Sequence, residues 1–532
     1  MTTPPPPAAP QTLTITDTIL GMGSLGTVVF KGRLHGRPVA VKRLLPEFTV
    51  LADNECAALQ AVDWHPNIVR YLLTERTQHF VYIALEECAT SAWAYFQWRY
   101  HGEAPAAPAN LAAAAASSPI PSPSEAPLPA WTAWTIDPLV AFHDVASGLA
   151  HLHRMGAVHR DLKPHNILLQ PPRRPGDAPT VKISDFGLCR IVDDVSASLG
   201  GAGAGLAAGA GSRGWRAPEV LRLHLVAADV RDVLRSDARG AAKDPAAADA
   251  AGGLARRPRL TRAMDVFSLG CIGYYFLTGS HPFGSPATSW AQRERAILRG
   301  RFRLGALVAG SGGGSDGDGG AGLSPSRAAT LRSLIAAMVA ADPAERPSAA
   351  RVAAHIAFWS WHRQLHFLAS VSDVLEHPPV DWTPRKTAAV LPPVAARLPP
   401  LGWCARLDPV LRQDLGRFRQ YDPFRVTDLL RALRNLLHHG HQGHRLTQAR
   451  LGTHQPDGLA RHLLDPFPRL VAHVYAIVVG REHDPLVPDH QRMRHLPGIA
   501  VWVDPDGATA GAGGATASAA ASTTAAPAAP AP

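Results

Sequence analysis

Long apolar runs are missing. No segment of the 532-residue chain reaches the roughly 18 consecutive apolar residues that a membrane-spanning helix requires, so none is encoded. The opening MTTPPPPAAP has neither a basic nor an apolar stretch and does not read as a signal peptide. Cysteine is scarce: Cys56, Cys88, Cys189, Cys271 and Cys404 lie far apart, with no Cys-x-x-Cys pair. That excludes a disulfide framework and a zinc knuckle and points to a reducing compartment. Acidic residues are outnumbered 43 to 53 by Lys and Arg, a formal charge of +10 that suits polyanionic partners. Branched and aromatic side chains are depleted in 1–11, 101–130, 196–212, 224–258, 305–326 and 504–532, where many of the 46 Gly and 48 Pro cluster with Ala and Ser. Such segments cannot offset chain-ordering entropy and read as disordered tails and inserts. The remainder suits one large two-lobed domain plus a smaller one.

Leu13, Ile15, Ile19 and Leu20 lead as a strand into Gly21-Met22-Gly23-Ser24-Leu25-Gly26-Thr27-Val28. These glycines lie between two β-type runs, not between a strand and a helix. That suits a flap over phosphates rather than a dinucleotide-binding fold. Val39-Ala40-Val41-Lys42 is a strand with one lysine, and Glu55 follows in a helical segment. Next come His159-Arg160-Asp161-Leu162-Lys163-Pro164-His165-Asn166, Asp185-Phe186-Gly187 and Ala217-Pro218-Glu219. Alone, the glycines make an ordinary turn and the lysine a solvated one. Together, in this order and at these intervals, they resemble a Ser/Thr protein kinase.

That resemblance implies ATP and magnesium. Lys42, held by Glu55, would grip the α and β phosphates, and Asp185 and Asn166 would bind the metal. Asp161 would orient the acceptor hydroxyl and Lys163 would contact the γ-phosphate. Gly21, Gly23, Gly26 and Val28 would cover the nucleotide, with Ala40 and Leu168 on the two adenine faces. Leu85 would be the gatekeeper, and Glu86 and Cys88 would supply hinge hydrogen bonds. Asp265 fits the buried aspartate of a central helix, and Arg346 the partner of Glu219. Ser196, Ser198 and Ser212 lie between Asp185 and Glu219; a phosphate there would pair with Arg160, although incidental linker serines would look the same.

Beyond the kinase pattern, helices are expected over 361–373, 407–418 and 426–439. In the last, Val426, Leu429, Leu430, Leu433, Leu436 and Leu437 form one apolar stripe. Arg431, Arg434, Asn435, His438 and His439 fall on the opposite half. Three readings stand: a solvated basic face, a metal site from His438, His439, His441 and His444, or a site for RNA cleavage. The metal reading lacks a carboxylate or cysteine to close the shell. RNA cleavage needs a base, an acid and cations at the phosphate, for which histidine and arginine are suited. Residues 401–450 hold nine Arg against four Asp, consistent with a polyanion.

A complete kinase followed directly by this helical segment resembles the cytoplasmic half of the inositol-requiring enzyme family, the kinase–endoribonucleases of the unfolded protein response. The likeness covers 13–95, 136–223, 259–304, 327–376 and 405–480. It is densest in Gly36-Arg37-Pro38-Val39-Ala40-Val41-Lys42-Arg43, Ile183-Ser184-Asp185-Phe186-Gly187-Leu188-Cys189, Gly214-Trp215-Arg216-Ala217-Pro218-Glu219 and Asp428-Leu429-Leu430-Arg431-Ala432-Leu433-Arg434-Asn435. Ribonuclease L is similar in architecture, but its kinase part is degenerate and ankyrin repeats precede it. The resemblance implies an α+β architecture: a two-lobed kinase fold over 13–360, then an all-α ribonuclease (KEN-type) domain over 361–503. Disordered ends at 1–12 and 504–532 and the inserts 101–130, 196–212, 224–258 and 305–326 complete it.

The resemblance further implies metal-independent cleavage of stem-loop RNA. His439 would be the general acid and Tyr421 would activate the 2′-hydroxyl, while Arg434 and Asn435 hold the phosphate. A phenol is a poor base unless cations lower its pKa. Asp63 and Arg70 would form salt bridges across a back-to-back homodimer. No DNA or membrane contact is expected of this chain. The resemblance implies the cytoplasmic side of the endoplasmic reticulum; the sequence as given carries no counterpart of the family's luminal sensor or membrane helix, which fits either a truncated chain or a soluble form. In the family a lysine follows the asparagine; here it is Leu436, expected at the edge of the apolar stripe. The alternative is an active kinase with a decayed nuclease domain, acting by phosphorylation or as an RNA-binding scaffold.

Overall fold

In a computed structural model of the chain, the described residues are 13–23, 27–102, 129–174, 176–191, 211–223, 261–307, 323–377, 402–439 and 456–479. They fall into two compact units, within Met1–Trp359 and Ser360–Pro532. Both terminal tails, most of each insert, Gly26, Ser196, Ser198, His441 and His444 lie outside them.

The first unit opens with strands β1 (Leu13–Met22), β2 (Val28–Leu34) and β3 (Arg37–Leu44), helix α1 (Thr49–Ala61), then β4 (Tyr71–Arg76) and β5 (Val81–Glu86). They make an antiparallel sheet ordered β1-β2-β3-β5-β4. On β3, Val39 and Val41 are buried, so Ala40 and Lys42 occupy the other face by strand alternation.

The second lobe follows: β6 (Thr90–Ser91), α2 (Ala92–His101), α3 (Pro138–Arg154), β7 (Ala157–Val158), β8 (Ile167–Gln170), β9 (Thr180–Ile183), β10 (Arg190–Ile191), α4 (Ala263–Thr278), α5 (Trp290–Leu298), α6 (Pro325–Met338) and α7 (Ala349–Ala353). Helix α3 begins at an Asp137 cap with Pro138 in its first turn, and it buries Leu139, Phe142, Val145, Ala146, Leu149 and Leu152. That three-to-four spacing is one apolar face. Helix α4 is buried from Met264 through Leu277, as befits a helix at the centre of a lobe. It crosses α3 at Gly273, where a methyl group would meet the Phe142 ring at 2.4 Å.

The second unit is helical among its described residues: α8 (Trp361–Glu376), α9 (Pro409–Phe418), α10 (Val426–His439), α11 (Pro456–Leu464) and α12 (Leu470–Val479). Helix α9 starts later than 407 because Asp408 caps it and Pro409 takes the first turn. The α10 stripe is fully internal. Leu436, only 8 % exposed, belongs to that core and not to its edge.

A buried ion pair ties the segment ending at Glu219 to the lobe. Arg346 donates through Nη1 and Nη2 to the Glu219 carboxylate at 2.7 and 2.9 Å, with both side chains almost wholly buried. Arg346→Ala would strand the carboxylate, costing about 3–5 kcal/mol. The first unit should melt well below wild type in calorimetry; an unchanged melting temperature would contradict this.

Candidate functional site

A cleft of about 450 Å³ is lined by Gly21, Gly23, Val29, Ala40, Lys42, Glu55, Leu85, Glu86, Cys88, Asn166, Leu168 and Asp185, among others. At its centre Lys42 Nζ donates to Glu55 Oε2 at 2.6 Å and to Asp185 Oδ1 at 2.8 Å. Burial works against the Lys42 ammonium, but the two carboxylates outweigh it and hold the lysine charged above its ordinary range. Lys42 in turn pushes Asp185 down to about 2 despite its desolvation.

One residue differs from the sequence pattern. Val28 pairs with Arg43, whereas Val29 pairs with Lys42. Paired residues share a face, so Val29 lines the cleft and Val28 turns from it. The single-residue phase of the strand, which a motif count does not carry, decides this.

The catalytic-type loop is built on Asp265. Its Oδ2 accepts from the backbone N–H of His159 at 2.8 Å and from His153 Nε2 at 3.0 Å, and its Oδ1 accepts from the Arg160 N–H at 2.8 Å. These donors hold the Asp265 carboxyl below its usual range, although burial alone would raise it. Arg160 is thereby kept at φ 71°, in the left-handed region that non-glycine residues avoid. Asp161 follows, with Lys163 Nζ on its Oδ2 at 2.9 Å and Asn166 Nδ2 on its carbonyl at 2.8 Å. Asp161 Oδ1 is buried without a hydrogen-bond partner among the described residues.

Ser212 Oγ accepts from Lys163 Nζ at 2.5 Å, which joins it to the hydrogen bonding of the catalytic-type loop. Arg160 Nη1 reaches the Leu188 carbonyl at 3.4 Å, while its Nε and Nη2 are buried with no described partner. Burial and Arg190 both press against its charge.

In the second unit, Tyr421 Oη accepts from Asn435 Nδ2 at 2.8 Å. Arg434 Nε and Nη2 both face Asn435 Oδ1 at 3.4 Å. The third guanidinium nitrogen, Nη1, donates to Asp373 Oδ1 at 2.7 Å and Glu376 Oε2 at 3.0 Å. Arg431 binds Glu376 through Nε and Asp428 through Nη1. All three guanidinium nitrogens of Arg434 are thus engaged, Nη1 by two carboxylates and the Nε/Nη2 edge, at longer range, by Asn435 Oδ1. His439 ends α10, and its side chain lies outside the described residues. Among the described residues no three His, Cys, Asp or Glu side chains form a metal-holding cluster.

Comparison with known proteins finds matches in both units. Family models for "Protein kinase domain" and "Ribonuclease 2-5A" match residues 134–232 and 364–489. A serine/threonine-protein kinase/endoribonuclease of Aspergillus fumigatus, ireA, is 35 % identical over 87 % of this chain and 37 % of its own length. The human IRE2 protein of the same description is 33 % identical over 90 % of this chain and 43 % of its own. The Schizosaccharomyces pombe "sensor for unfolded proteins in the ER" is 33 % identical over 91 % and 39 %. The chain belongs to the inositol-requiring enzyme family. It spans about two fifths of the length of these curated relatives.

Within this family member, two acidic residues went unmarked by sequence reasoning. Asp373 and Glu376 lie three apart on α8, as Arg431 and Arg434 do on α10. That matched spacing of opposite charge on two helices was the available signal. No helix of the described residues is long and apolar enough to cross a membrane.

Partial burial would raise the Glu376 carboxyl, yet the hydrogen bond and charge of Arg431, with Arg434, bring it below its ordinary value. A carboxyl depressed on folding contributes stability above its unfolded value of about 4.3 and loses it as pH falls through the folded one. The second unit should therefore weaken between about pH 5 and pH 3, and Glu376→Gln should flatten that slope. Thermal melts of the full chain across this range test it; identical slopes for both proteins would refute it.

Proposed function

We propose that the chain is bifunctional: a Ser/Thr protein kinase that uses ATP and magnesium and phosphorylates itself, joined to a metal-independent endoribonuclease that cleaves stem-loop RNA. The observation carrying this reading is that one chain holds both an assembled Lys42–Glu55–Asp185 triad and a Tyr421–Asn435–Arg434 cluster.

Asn166 commits its amide nitrogen to Asp161, which leaves the amide oxygen, beside the Asp185 carboxylate, as hard donors suited to magnesium. Magnesium-bound ATP supplies the transferable phosphoryl group and neutralises its charge. Lys42 fixes the α and β phosphates, and Gly21 and Gly23 let the backbone approach them. Ala40, Leu168 and Val29 enclose the base, with Leu85, Glu86 and Cys88 along the hinge. The unpartnered Asp161 Oδ1 accepts the acceptor hydroxyl, and Lys163, seated by Ser212, stands at the γ-phosphate.

In the second unit, the scissile phosphate would take over the Arg434 Nε/Nη2 edge from Asn435 Oδ1 and the Asn435 amide N–H from Tyr421. Tyr421 activates the 2′-hydroxyl, and His439 donates a proton to the leaving 5′-oxygen. A homodimer joined through Asp63 and Arg70 is supported by their exposure beside Trp64, which is 66 % exposed. The wording of the yeast relative's name supports a place in endoplasmic reticulum stress signalling. The rival reading, a kinase with an inactive ribonuclease unit, rests on Leu436, which leaves no cation at that position.

Hairpin RNA cleaved in EDTA by wild type but not by His439→Ala would support the ribonuclease; no cleavage by either would favour the rival. Asp185→Ala should abolish autophosphorylation, and retention of the wild-type rate would refute the metal role. Ser212→Ala should slow phosphoryl transfer roughly tenfold, as loss of a hydrogen bond to a charged group predicts, while Ser212→Thr keeps it. Equal rates for the two Ser212 variants would remove that residue from the machinery.

A further inference from the structure

The turn that carries Tyr421 into α10 displays a side chain the proposed chemistry does not use. Phe424 is 58 % exposed. An apolar residue just ahead of a helix ordinarily folds onto its first turn. Here Leu429 and Leu430 are already wholly buried, and Phe424 remains outside the core.

The backbone beneath it is firmly held. Asp422 Oδ1 accepts the Phe424 N–H at 2.9 Å, and the Asp422 N–H donates to Asp428 Oδ2 at 2.7 Å. The fully buried Trp403 donates its indole N–H to the Asp422 carbonyl at 3.0 Å and its backbone N–H to the Pro423 carbonyl at 2.9 Å. The same Trp403 ring stands edge-on to Tyr421, at 6.1 Å between centroids. One anchor therefore fixes both Tyr421 and the turn. Next to Phe424, Arg425 has 73 % of its side chain exposed, and its Nε meets Asp422 Oδ2 at 3.2 Å. The Asp422 carboxylate, the nearest negative charge in the turn, is thereby occupied by a cation and a backbone N–H.

A rigidly held, exposed ring beside an exposed guanidinium offers a flat apolar surface and a phosphate contact side by side. An unpaired nucleobase with its attached phosphate has the matching chemistry, and single-stranded loops supply bases free to stack. We propose that Phe424 is a stacking platform for an unpaired nucleobase flanking the scissile phosphate, with Arg425 on the adjoining backbone phosphate. The proposal rests on the ribonuclease reading for its register but makes a separate claim about binding.

The test uses full-length protein and a fluorescent hairpin RNA, with binding measured by anisotropy in the His439→Ala background and cleavage measured under single turnover. Phe424→Ala should weaken binding roughly tenfold, the order expected for one lost base stack. The cleavage rate at saturating protein should stay near wild type, and the protein concentration for half-maximal rate should rise. Phe424→Trp should restore binding; Phe424→Leu, apolar but not aromatic, should not. Arg425→Ala should lower the slope of log affinity against log salt by about one, whereas Phe424→Ala leaves it unchanged.

Wild-type affinity in Phe424→Ala would overturn the platform while leaving the ribonuclease intact. So would full rescue by leucine, or a change in sedimentation in place of RNA affinity, which would make Phe424 a protein contact. Failure of wild type to cleave any hairpin, with the Phe424→Ala binding loss still present, would sink the ribonuclease reading and uphold the platform.

Discussion

The Asp265 carboxylate is the contact on which the first unit's chemistry depends. It is wholly buried on the central helix, and three N–H groups converge on its two oxygens. Those donors come from α3 and from two successive backbone positions of the loop that carries Asp161. Without that acceptor, two buried backbone N–H groups would be orphaned. The left-handed turn at Arg160 would also lose what holds it. The positions of Asp161, Lys163 and Asn166 therefore follow from a residue that never faces the cleft.

Both constellations solve one electrostatic problem in the same way. A half-buried cation needs counter-charges that offset its desolvation and fix its direction. Lys42 has them in Glu55 and Asp185, and Arg434 in Asp373 and Glu376. The lysine, with three equivalent donors, can be held inside a cleft. The planar arginine is held at Nη1 by the two carboxylates, and its Nε/Nη2 edge keeps only the longer contacts to Asn435 Oδ1. The carboxylates lower the net positive field, yet they fix direction, which matters more for a bidentate partner.

Much of this was legible in the sequence. The glycine turn, Lys42, Glu55 and the loop from His159 to Asn166 are local patterns in a fixed order, and the structure brings Gly21, Gly23, Lys42, Glu55 and Asn166 to one cleft. The α10 stripe was legible because helical periodicity is strong in six aliphatic residues. Positions that depend on phase or on a distant partner were not legible. Val29 replaces Val28 because of strand register. Ser212 meets Lys163 across 49 positions of sequence, and Arg434 meets Glu376 across 58, distances no local pattern encodes.

Arg160 has a consequence for the energetics of its neighbourhood. A guanidinium with two buried nitrogens that have no partner among the described residues, pressed by burial and by the like charge of Arg190, is local frustration: the contacts around it do not all favour the same state. Among the described residues the ladder there is the two-residue pairing of β10 with β7. Such a spot opens at lower free energy than the core beneath it, so unfolding there need not involve the lobe as a whole. An anion entering at Arg160 would relieve the same imbalance. One residue thus ties the local stability of the β7–β10 pairing to whether its charge is met.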